Sequence, residues 1–341
     1  MAKPSQIRAF RLTKIADNAD RFSGFAPYVA SVNDAGTVAF QAGLRAGGSG
    51  VFTGDGGPAP ARAAAAAGVL RSVESHPDIN SGGALGFYAS PSSGGQGALL
   101  AAGGALVTVA SDGARFRGIG PLGPTMNDEG MMAFRADLRP GGAGVFTGNG
   151  GPIATIADTS GPFSAFHGLP VINREGAVVF RADLARGGQG IYTGRGGPVT
   201  AIAETGDIFA DLALFPAIND EGTVAFAATL RSGRAGIFAA DSRGTRPLVE
   251  ADGQFESFRG ALINRAGLAA FIATPRGGRL GVFGGPDPAA GRIVCLGDPL
   301  LGSTVTDLAL NPVSVNEAAQ VSVRVALADG REAILRVDPV A

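Results

Sequence analysis

The chain has 341 residues, and its 28 Lys and Arg against 29 Asp and Glu give a formal net charge of −1, with only 17% of residues charged. This balance argues against a nucleic-acid partner, since non-specific binding to a polyanion needs an excess of basic residues. The single Cys295 excludes an internal disulfide framework, and no apolar run approaches the roughly 20 residues of a membrane-spanning helix.

One unit recurs seven times along the chain and is clearest between Asn219 and Phe238. There the sequence runs Asn-Asp-Glu-Gly, then Thr-Val-Ala-Phe, then a polar turn and Gly-Ile-Phe. Repeats of this length are typical of solenoids and propellers, so we predict a single domain over residues 1–341. The anchoring residues are Asn33, Asn80, Asn127, Asn173, Asn219, Asn264 and Asn316.

Each unit is predicted to contain four short strands. An apolar segment such as Phe215–Ile218 precedes the Asn, and the Asn-x-x-Gly that follows is a tight turn in which Gly supplies a positive φ. The second strand ends in Phe seven residues after the Asn in six of the seven units, and a Gly-rich turn leads to a third strand such as Gly236–Phe238. A fourth apolar strand closes the unit. We assign the Ala61–Ala67 run of the first unit to this strand despite its helix propensity.

The two ends of the chain indicate how the array closes. After Asn316 the sequence holds two further strands, around Gln320–Val325 and Ala333–Val337, and lacks a fourth. The first apolar segment, Ile7–Asp17, is similar in sequence to the fourth strands of the other units. We therefore predict an all-β, seven-bladed β-propeller of four-stranded antiparallel blades, whose N-terminal strand joins three C-terminal strands and removes the exposed edges of an open array.

The repeat resembles that of a group of bacterial tandem-repeat β-propeller proteins. Their units read Asn-x-x-Gly-x-Val-Ala-Phe and then Gly-Ile-Phe-x-Gly, and many end in a PEP-CTERM-type sorting anchor; the blade is also similar to that of TolB-type propellers. The resemblance covers nearly the whole chain and implies a secreted or periplasmic location with the signal removed. The sequence itself shows neither a signal peptide nor an anchor, so a cytoplasmic location is the other expectation.

Two recurrent polar sets are expected on one face of the ring. If the innermost strand precedes each Asn, the second-to-third and fourth-to-first connections share the face that is conventionally called the top. We interpret both sets as a solvated surface with weak ion pairs, with an anion site at the Arg set or a Ca²⁺ site at the acids as alternatives. The Arg set is Arg45, Arg139, Arg186, Arg231, Arg234, Arg276 and Arg279, and the acids are Asp17, Asp112, Asp158, Glu204, Glu250 and Asp298.

Residues that break the repeat near the predicted channel are better candidates for a site, because the blade itself does not require them. Among them, His76 and His167 are the residue types that bind metals or transfer protons near neutral pH. The candidate ligand-binding residues are Tyr28, Glu74, His76, Arg117, His167, Asp211, Arg259 and Asp307.

These features favour a non-catalytic binding or interaction module that takes a protein or a small molecule on its top face, and we expect a monomer. The first alternative is a metal-assisted hydrolase or lactonase-like enzyme at the channel mouth, with His76 and His167 as catalytic candidates. The second is a structural surface or scaffold protein. The chain contains no Gly-x-Ser-x-Gly elbow, His-Glu-x-x-His pair or phosphate-binding loop.

Overall fold

Seven antiparallel sheets form the blades of a β-propeller in a computed structural model of the chain, which describes residues 9–25, 27–57, 60–64, 70–251 and 253–340. These residues contain no helix. Each blade is a meander in which the strand before the anchoring Asn is the innermost, so the predicted fold class is confirmed. In this numbering blade 1 carries Asn33 and blade 7 carries Asn316.

The strand bounds follow the repeat. Blade 1 contains Phe22–Gly24, Ser31–Val32, Val38–Leu44, Ser49–Gly54 and Ala61–Ala64. Blade 2 contains Leu70–Val73, Asp78–Ile79, Leu85–Pro91, Gly97–Ala102 and Ala105–Ser111. Blade 3 contains Phe116–Ile119, Thr125–Met126, Met132–Leu138, Ala143–Gly148 and Ala154–Asp158. Blade 4 contains Phe163–Ile172, Val178–Leu184, Gln189–Gly194 and Thr200–Glu204. Blade 5 contains Phe209–Leu212, Ala217–Ile218, Val224–Leu230, Ala235–Asp241 and Gly244–Glu250. Blade 6 contains Phe255–Asn264, Gly267–Pro275, Gly281–Phe283 and Arg292–Cys295. In blade 7 they are Ser303–Ala309, Val321–Leu327, Glu332–Val340 and Ala9–Asp17, with Pro299–Leu300 paired to the innermost strand.

The N-terminal strand closes the ring as predicted. Ala9–Asp17 pairs antiparallel with Glu332–Val340, from Ala9 opposite Val340 to Asp17 opposite Ala333. Thr13 Oγ1 also donates a hydrogen bond to Asp338 Oδ2 at 2.7 Å. Residues 7 and 8 of the predicted strand lie outside the described residues. The Ala61–Ala67 prediction is confirmed over Ala61–Ala64, and its remaining residues are likewise outside the described part.

Aromatic triads fill the cores of five blades. In blade 5, Phe226 on the second strand lies opposite Phe238 on the third, and Phe209 on the first strand packs edge-on against both, at centroid distances of 5.5 and 5.2 Å. Edge-to-face pairs of this kind add about 0.5–1.5 kcal/mol each beyond their buried area. The first-strand Phe of each triad is the member that sequence analysis did not identify. The other triads are Phe22, Phe40 and Phe52; Phe116, Phe134 and Phe146; Phe163, Phe180 and Tyr192; and Phe255, Phe271 and Phe283.

Prolines interrupt the innermost strand in five blades, and in blade 4 Pro170 lies at a register shift within the continuous strand Phe163–Ile172. Proline has no N–H to donate, so the innermost strand leaves the ladder where Pro occurs. In blade 2, for example, Leu70–Val73 and Asp78–Ile79 pair with opposite ends of Leu85–Pro91, and Pro77 lies in the unpaired stretch between them. Blade 6 has no Pro in this segment, and its innermost strand, Phe255–Asn264, is continuous. The unpaired stretches place irregular backbone around the upper half of the channel.

The seven anchoring Asn side chains form a ring of hydrogen bonds at the opposite, bottom end of the channel. Asn219 is typical: its Nδ2 donates to the Asn264 carbonyl of the next blade at 3.0 Å, and its Oδ1 accepts the Thr223 N–H within its own turn at 2.8 Å. The ring closes where Asn316 Nδ2 donates to the Asn33 carbonyl at 2.8 Å. All seven side chains are buried. The Asn therefore serves both as a turn residue and as the link between neighbouring blades.

Candidate functional site

The unpaired inner segments surround a cavity of about 610 Å³ at the top of the channel. Its lining comes from blades 1, 2, 3, 4, 5 and 7, and none of the described residues of blade 6, whose innermost strand is continuous, lines it. Volumes of this size are typical of small-molecule sites. Leu122 in the wall has a φ of 77°, a conformation that costs energy in a residue with a side chain, and such strain concentrates at functional sites.

The cavity has a polar side and an apolar side. Blades 2 and 3 supply most of the polar groups, whereas the apolar groups come from blades 1, 3, 4, 5 and 7. This division favours a ligand that has one polar end and an apolar body. The polar residues are Tyr28, Glu74, His76, Tyr88, Gln96, Arg135, Asp137 and Asn311, and the apolar ones include Val29, Leu122, Leu169, Phe215 and Leu310.

Two polar atoms in the polar side have no hydrogen-bond partner. His76 Nε2 and Tyr88 Oη are both buried, and they belong to a set of four such side-chain atoms among the described residues. Buried polar atoms are nearly always satisfied, so an unsatisfied pair in the wall of one cavity marks a place where water or a bound molecule would complete the bonding. Burial lowers the pKa of His76 to about 4, and it raises the pKa of Tyr88 against a weaker opposing effect of the Arg135 backbone, which lies nearby but outside hydrogen-bond geometry, so both side chains are neutral at pH 7.

The carboxylate of Glu74 is fixed by neutral donors. Its Oε1 accepts hydrogen bonds from Ser72 at 2.8 Å and from Ser90, and its Oε2 accepts one from Gln96 Nε2 at 2.9 Å. Burial, reinforced by the charge of Glu74, raises the pKa of Tyr28 across the cavity. Glu74 therefore sets the shape and the potential of the polar side without needing a cation from a ligand.

Three of the predicted site residues line the cavity, namely Tyr28, Glu74 and His76, and five do not. His167 Nε2 lies 2.8 Å from Asp183 Oδ2, and Arg117 pairs with Asp137 at 3.0 Å. Asp211 accepts a hydrogen bond from Gln189, Asp307 pairs with Arg324, and Arg259 is exposed. The two histidines therefore do not share the cavity lining.

Sequence analysis missed Tyr88, Gln96, Arg135 and Asp137 as lining residues. Tyr88 and Arg135 stand eight residues after an anchoring Asn, on the second strand of their blades. That position varies from blade to blade, with Gln, Tyr, Arg, Ala and Ile all occurring there. This variation is a usable signal, whereas all the predicted site residues lie in the segments before each Asn.

The top-face Arg and acid sets form exposed ion pairs and turn contacts. Arg186 pairs with Glu204, and Arg234 lies 4.0 Å from Glu250. Each exposed pair of this kind contributes about 0–1 kcal/mol. Among the described residues, no group of three or more His, Cys, Asp or Glu side chains is arranged to hold a metal ion. The Ca²⁺ and anion sites that we considered for these sets remain predictions.

At the bottom mouth, Arg174 lies among carboxylates from three other blades. Its guanidinium is 3.0 Å from Asp128, 3.2 Å from Asp220 and 3.9 Å from Asp34, and Asp128 contributes most to raising the pKa of Arg174. The Asn ring and these groups enclose a smaller space of about 160 Å³. The larger cavity at the top is therefore the better candidate for ligand binding.

Two buried titratable groups on the inner segment of blade 2 should give opposite pH dependences. Asp78 accepts the N–H groups of Ile79 at 2.9 Å and Met126 at 2.7 Å, yet burial outweighs these bonds and raises its pKa to about 7. The fold therefore favours protonated Asp78 and loses stability as the pH rises from about 4 to about 7. His76 has a lowered pKa, so the fold favours its neutral form and loses stability as the pH falls from about 6.5 to about 4.

Removing one of these groups should expose the effect of the other. Asp78→Asn should lose about 2–3 kcal/mol of unfolding free energy on acidification from pH 6.5 to 4.5, whereas His76→Gln should gain a similar amount from pH 7 to 4.5. Urea unfolding at a series of pH values measures both slopes. Asp287→Asn is the control. Asp287 is exposed and backbone N–H groups lower its pKa, so its titration changes the unfolding free energy only at pH values below those compared here. Variant profiles parallel to the wild type would contradict the assignment.

The fold defines the protein as a seven-bladed β-propeller, and a cavity of small-molecule size lies at the top of its channel. The chain belongs to the family of unknown function DUF7453, whose profile matches residues 53–333. Comparison with curated proteins gives no match. None of the described residues forms a helix that could span a bilayer.

Three solved structures share the fold. Oligogalacturonate lyase from Vibrio parahaemolyticus is 10% identical with a TM-score of 0.58, over 96% of this chain and 97% of that one. The β-propeller domain of the Trilobed protease from Pyrococcus furiosus is 10% identical with a TM-score of 0.58, over 92% and 96%. Acylaminoacyl peptidase from Pyrococcus horikoshii is 10% identical with a TM-score of 0.51, over 91% of this chain and 52% of that one. At this level of identity the likenesses show the propeller fold alone.

Proposed function

We propose that the protein is a non-catalytic binding module that holds one small molecule in the cavity at the top of its central channel. The observation that carries this proposal is the pair of buried, unpartnered polar atoms, His76 Nε2 and Tyr88 Oη, in the wall of one cavity. An unsatisfied buried polar group costs about 1–3 kcal/mol, and a ligand that bonds to it recovers that cost as affinity.

The division of the lining supports a small organic molecule over a protein surface as the ligand. Six blades converge on one concave space, so the bound molecule would be enclosed by groups from several directions. A site that is mostly apolar with a few polar groups is typical of small-molecule binding. The polar groups of blades 2 and 3 would orient the ligand, and the apolar groups of the other blades would bury its body.

Gly118 allows a direct test because it lines the cavity and a Cβ added to it meets no atom within 4 Å. Gly118→Leu should fill part of the cavity without disturbing the fold. Gly197→Leu is the matched control, since Gly197 is exposed on a turn and is equally unobstructed. A library of small organic molecules would be screened by thermal shift against all three proteins, and hits would be confirmed by calorimetry.

We expect compounds that bind the wild type and Gly197→Leu and that bind Gly118→Leu at least tenfold more weakly. Hits that bind Gly118→Leu unchanged, or a library that yields no hit for the wild type, would overturn the proposal. Tyr88→Phe adds an independent measurement. It should raise the melting temperature of the free protein, because it removes an unsatisfied hydroxyl, while it weakens the binding of confirmed hits. A hydroxyl without a role in binding would leave their affinity unchanged.

A further inference from the structure

The guanidinium of Arg135 differs from its counterparts in other blades because no carboxylate of the described residues is in contact with it. Arg135, Arg181 and Arg324 each stand eight residues after an anchoring Asn, on the second strand of a blade. Arg181 pairs with Asp183 at 3.3 Å, and Arg324 pairs with Asp307 at 2.8 Å. Within the described ranges, no carboxylate lies at salt-bridge distance from Arg135.

An exchange of partners within blade 3 explains this difference. Asp137 occupies the place that Asp183 has in blade 4, two residues after the Arg, but its carboxylate is 3.0 Å from Arg117 instead. Arg135 Nη1 donates to the Gly168 carbonyl of blade 4 at 3.2 Å, which anchors one edge of the guanidinium. Burial lowers the pKa of Arg135. The nearby charge of Asp137 offsets part of this burial, but no carboxylate of the described residues is in contact with the guanidinium, so a bound anion would offset more of the cost.

The surroundings of Arg135 favour one kind of anion. A single guanidinium supplies one positive charge, and it can donate two parallel hydrogen bonds to a carboxylate. Glu74 and Asp137 place negative charge in the same wall, so a doubly charged phosphate would meet more repulsion than a singly charged carboxylate does. The apolar side of the cavity, with Leu169 and Phe215, requires that the anion carry an apolar body.

We propose that the ligand is a monocarboxylate with an apolar body, whose carboxylate pairs with Arg135 and whose body packs against the apolar side. This inference rests on the proposed function, since it concerns the same cavity. Tyr88 Oη would donate a further hydrogen bond to the carboxylate. The bond from Arg135 to the Gly168 carbonyl holds the guanidinium in place before the ligand arrives.

The test uses a series of carboxylates of increasing apolar size, from acetate to 4-phenylbutyrate, each beside its neutral amide and beside inorganic phosphate. Calorimetry with the wild type should show tighter binding as the body grows, by about threefold for each buried CH₂. Each acid should bind at least about tenfold more tightly than its amide. Inorganic phosphate should bind more weakly than 4-phenylbutyrate.

Variants of the chain then assign the carboxylate to Arg135. Arg135→Gln should weaken 4-phenylbutyrate by about 10- to 100-fold and leave the amide within about threefold. Arg259→Gln removes the same charge from an exposed residue outside the lining and should bind both like the wild type. Asp137→Asn should tighten the acid, since it removes a nearby negative charge. The affinity of Arg135→Lys for 4-phenylbutyrate should lie between those of the wild type and Arg135→Gln. If Arg135→Gln fails to fold, Arg135→Lys and Asp137→Asn together provide the test.

The outcomes separate this inference from the proposed function. Amides that bind as tightly as their acids, or phosphate that binds as tightly as 4-phenylbutyrate, would overturn the carboxylate assignment. Acid binding that Arg135→Gln or Arg135→Lys leaves unchanged would also overturn it. In each of these cases, sensitivity to Gly118→Leu would still support binding in the cavity. If neither these probes nor the library bind in a way that Gly118→Leu reduces, the proposed function itself fails.

Discussion

Deletion of Ile7–Asp17 should destabilise the propeller by several kcal/mol, about 3–6, and should convert the monomer that we expect into an oligomer. The described part of this segment, Ala9–Asp17, is the outer strand of blade 7 and pairs with residues 333–340 of the strand Glu332–Val340. Its loss removes a ladder of backbone hydrogen bonds, each worth about 1 kcal/mol net, and uncovers the side chain of Ile15, worth about 1.5–3 kcal/mol. The entropy regained by the freed strand offsets part of this loss.

The exposed edge accounts for the expected change in assembly. Without the N-terminal strand, the unpaired groups of Glu332–Val340 present an open edge that can pair with another chain. Urea unfolding gives the change in stability, and sedimentation gives the mass. A synthetic peptide of residues 1–17 added to the truncated chain should restore both the stability and the monomeric state, because it can bind the same edge. A truncated monomer with an unchanged melting temperature would contradict the closure argument.

The fold was predictable because its dominant signals are local and recur. The Asn-x-x-Gly turns, the Phe seven residues after each Asn and the Gly-rich turns all specify backbone shape within a few residues, and seven copies reinforce one another. The first-strand aromatics, such as Phe209, escaped notice because their distance from the Asn varies between blades. The Pro-interrupted inner segments account for that variation, since unpaired backbone has no fixed register.

The site was only partly predictable, for a physical reason. Tyr28, Glu74 and His76 were found because they break the repeat in the segments that face the channel. The sequence does not distinguish Arg135 from Arg181 and Arg324, which stand at the same place in blades 4 and 7 and pair with carboxylates. Arg135 is distinguished by the pairing of Asp137 with Arg117, which leaves Arg135 without a contacting carboxylate in the described part of the chain. This pairing depends on side-chain positions, which cannot be derived from the spacing of residues in the sequence.

Asn219→Asp should destabilise the protein by about 3–5 kcal/mol at pH 7, although Asp is as well suited as Asn to the turn itself. The carboxylate can still accept the Thr223 N–H, which is the bond that shapes the turn. It cannot donate to the Asn264 carbonyl, and it brings a buried negative charge against that oxygen instead. Asn219→Ala, which loses both bonds without adding charge, should cost about 2–4 kcal/mol.

The comparison of these two variants distinguishes the hydrogen bond that links neighbouring blades from the hydrogen bond within the turn. If the anchoring Asn acted only within its own turn, Asn219→Asp would be nearly neutral and Asn219→Ala would be the more damaging change. If the link between blades matters, the order reverses, and the cost of Asn219→Asp shrinks below about pH 5, where a protonated carboxyl can donate again. Asn149→Asp, at an exposed turn of blade 3, is the matched control and should change little at either pH. Urea unfolding of the four proteins at pH 7 and pH 4.5 measures both orders. Because the ring closes through Asn316 and Asn33, the same reversal at Asn316 would show that the blades are linked around the whole channel.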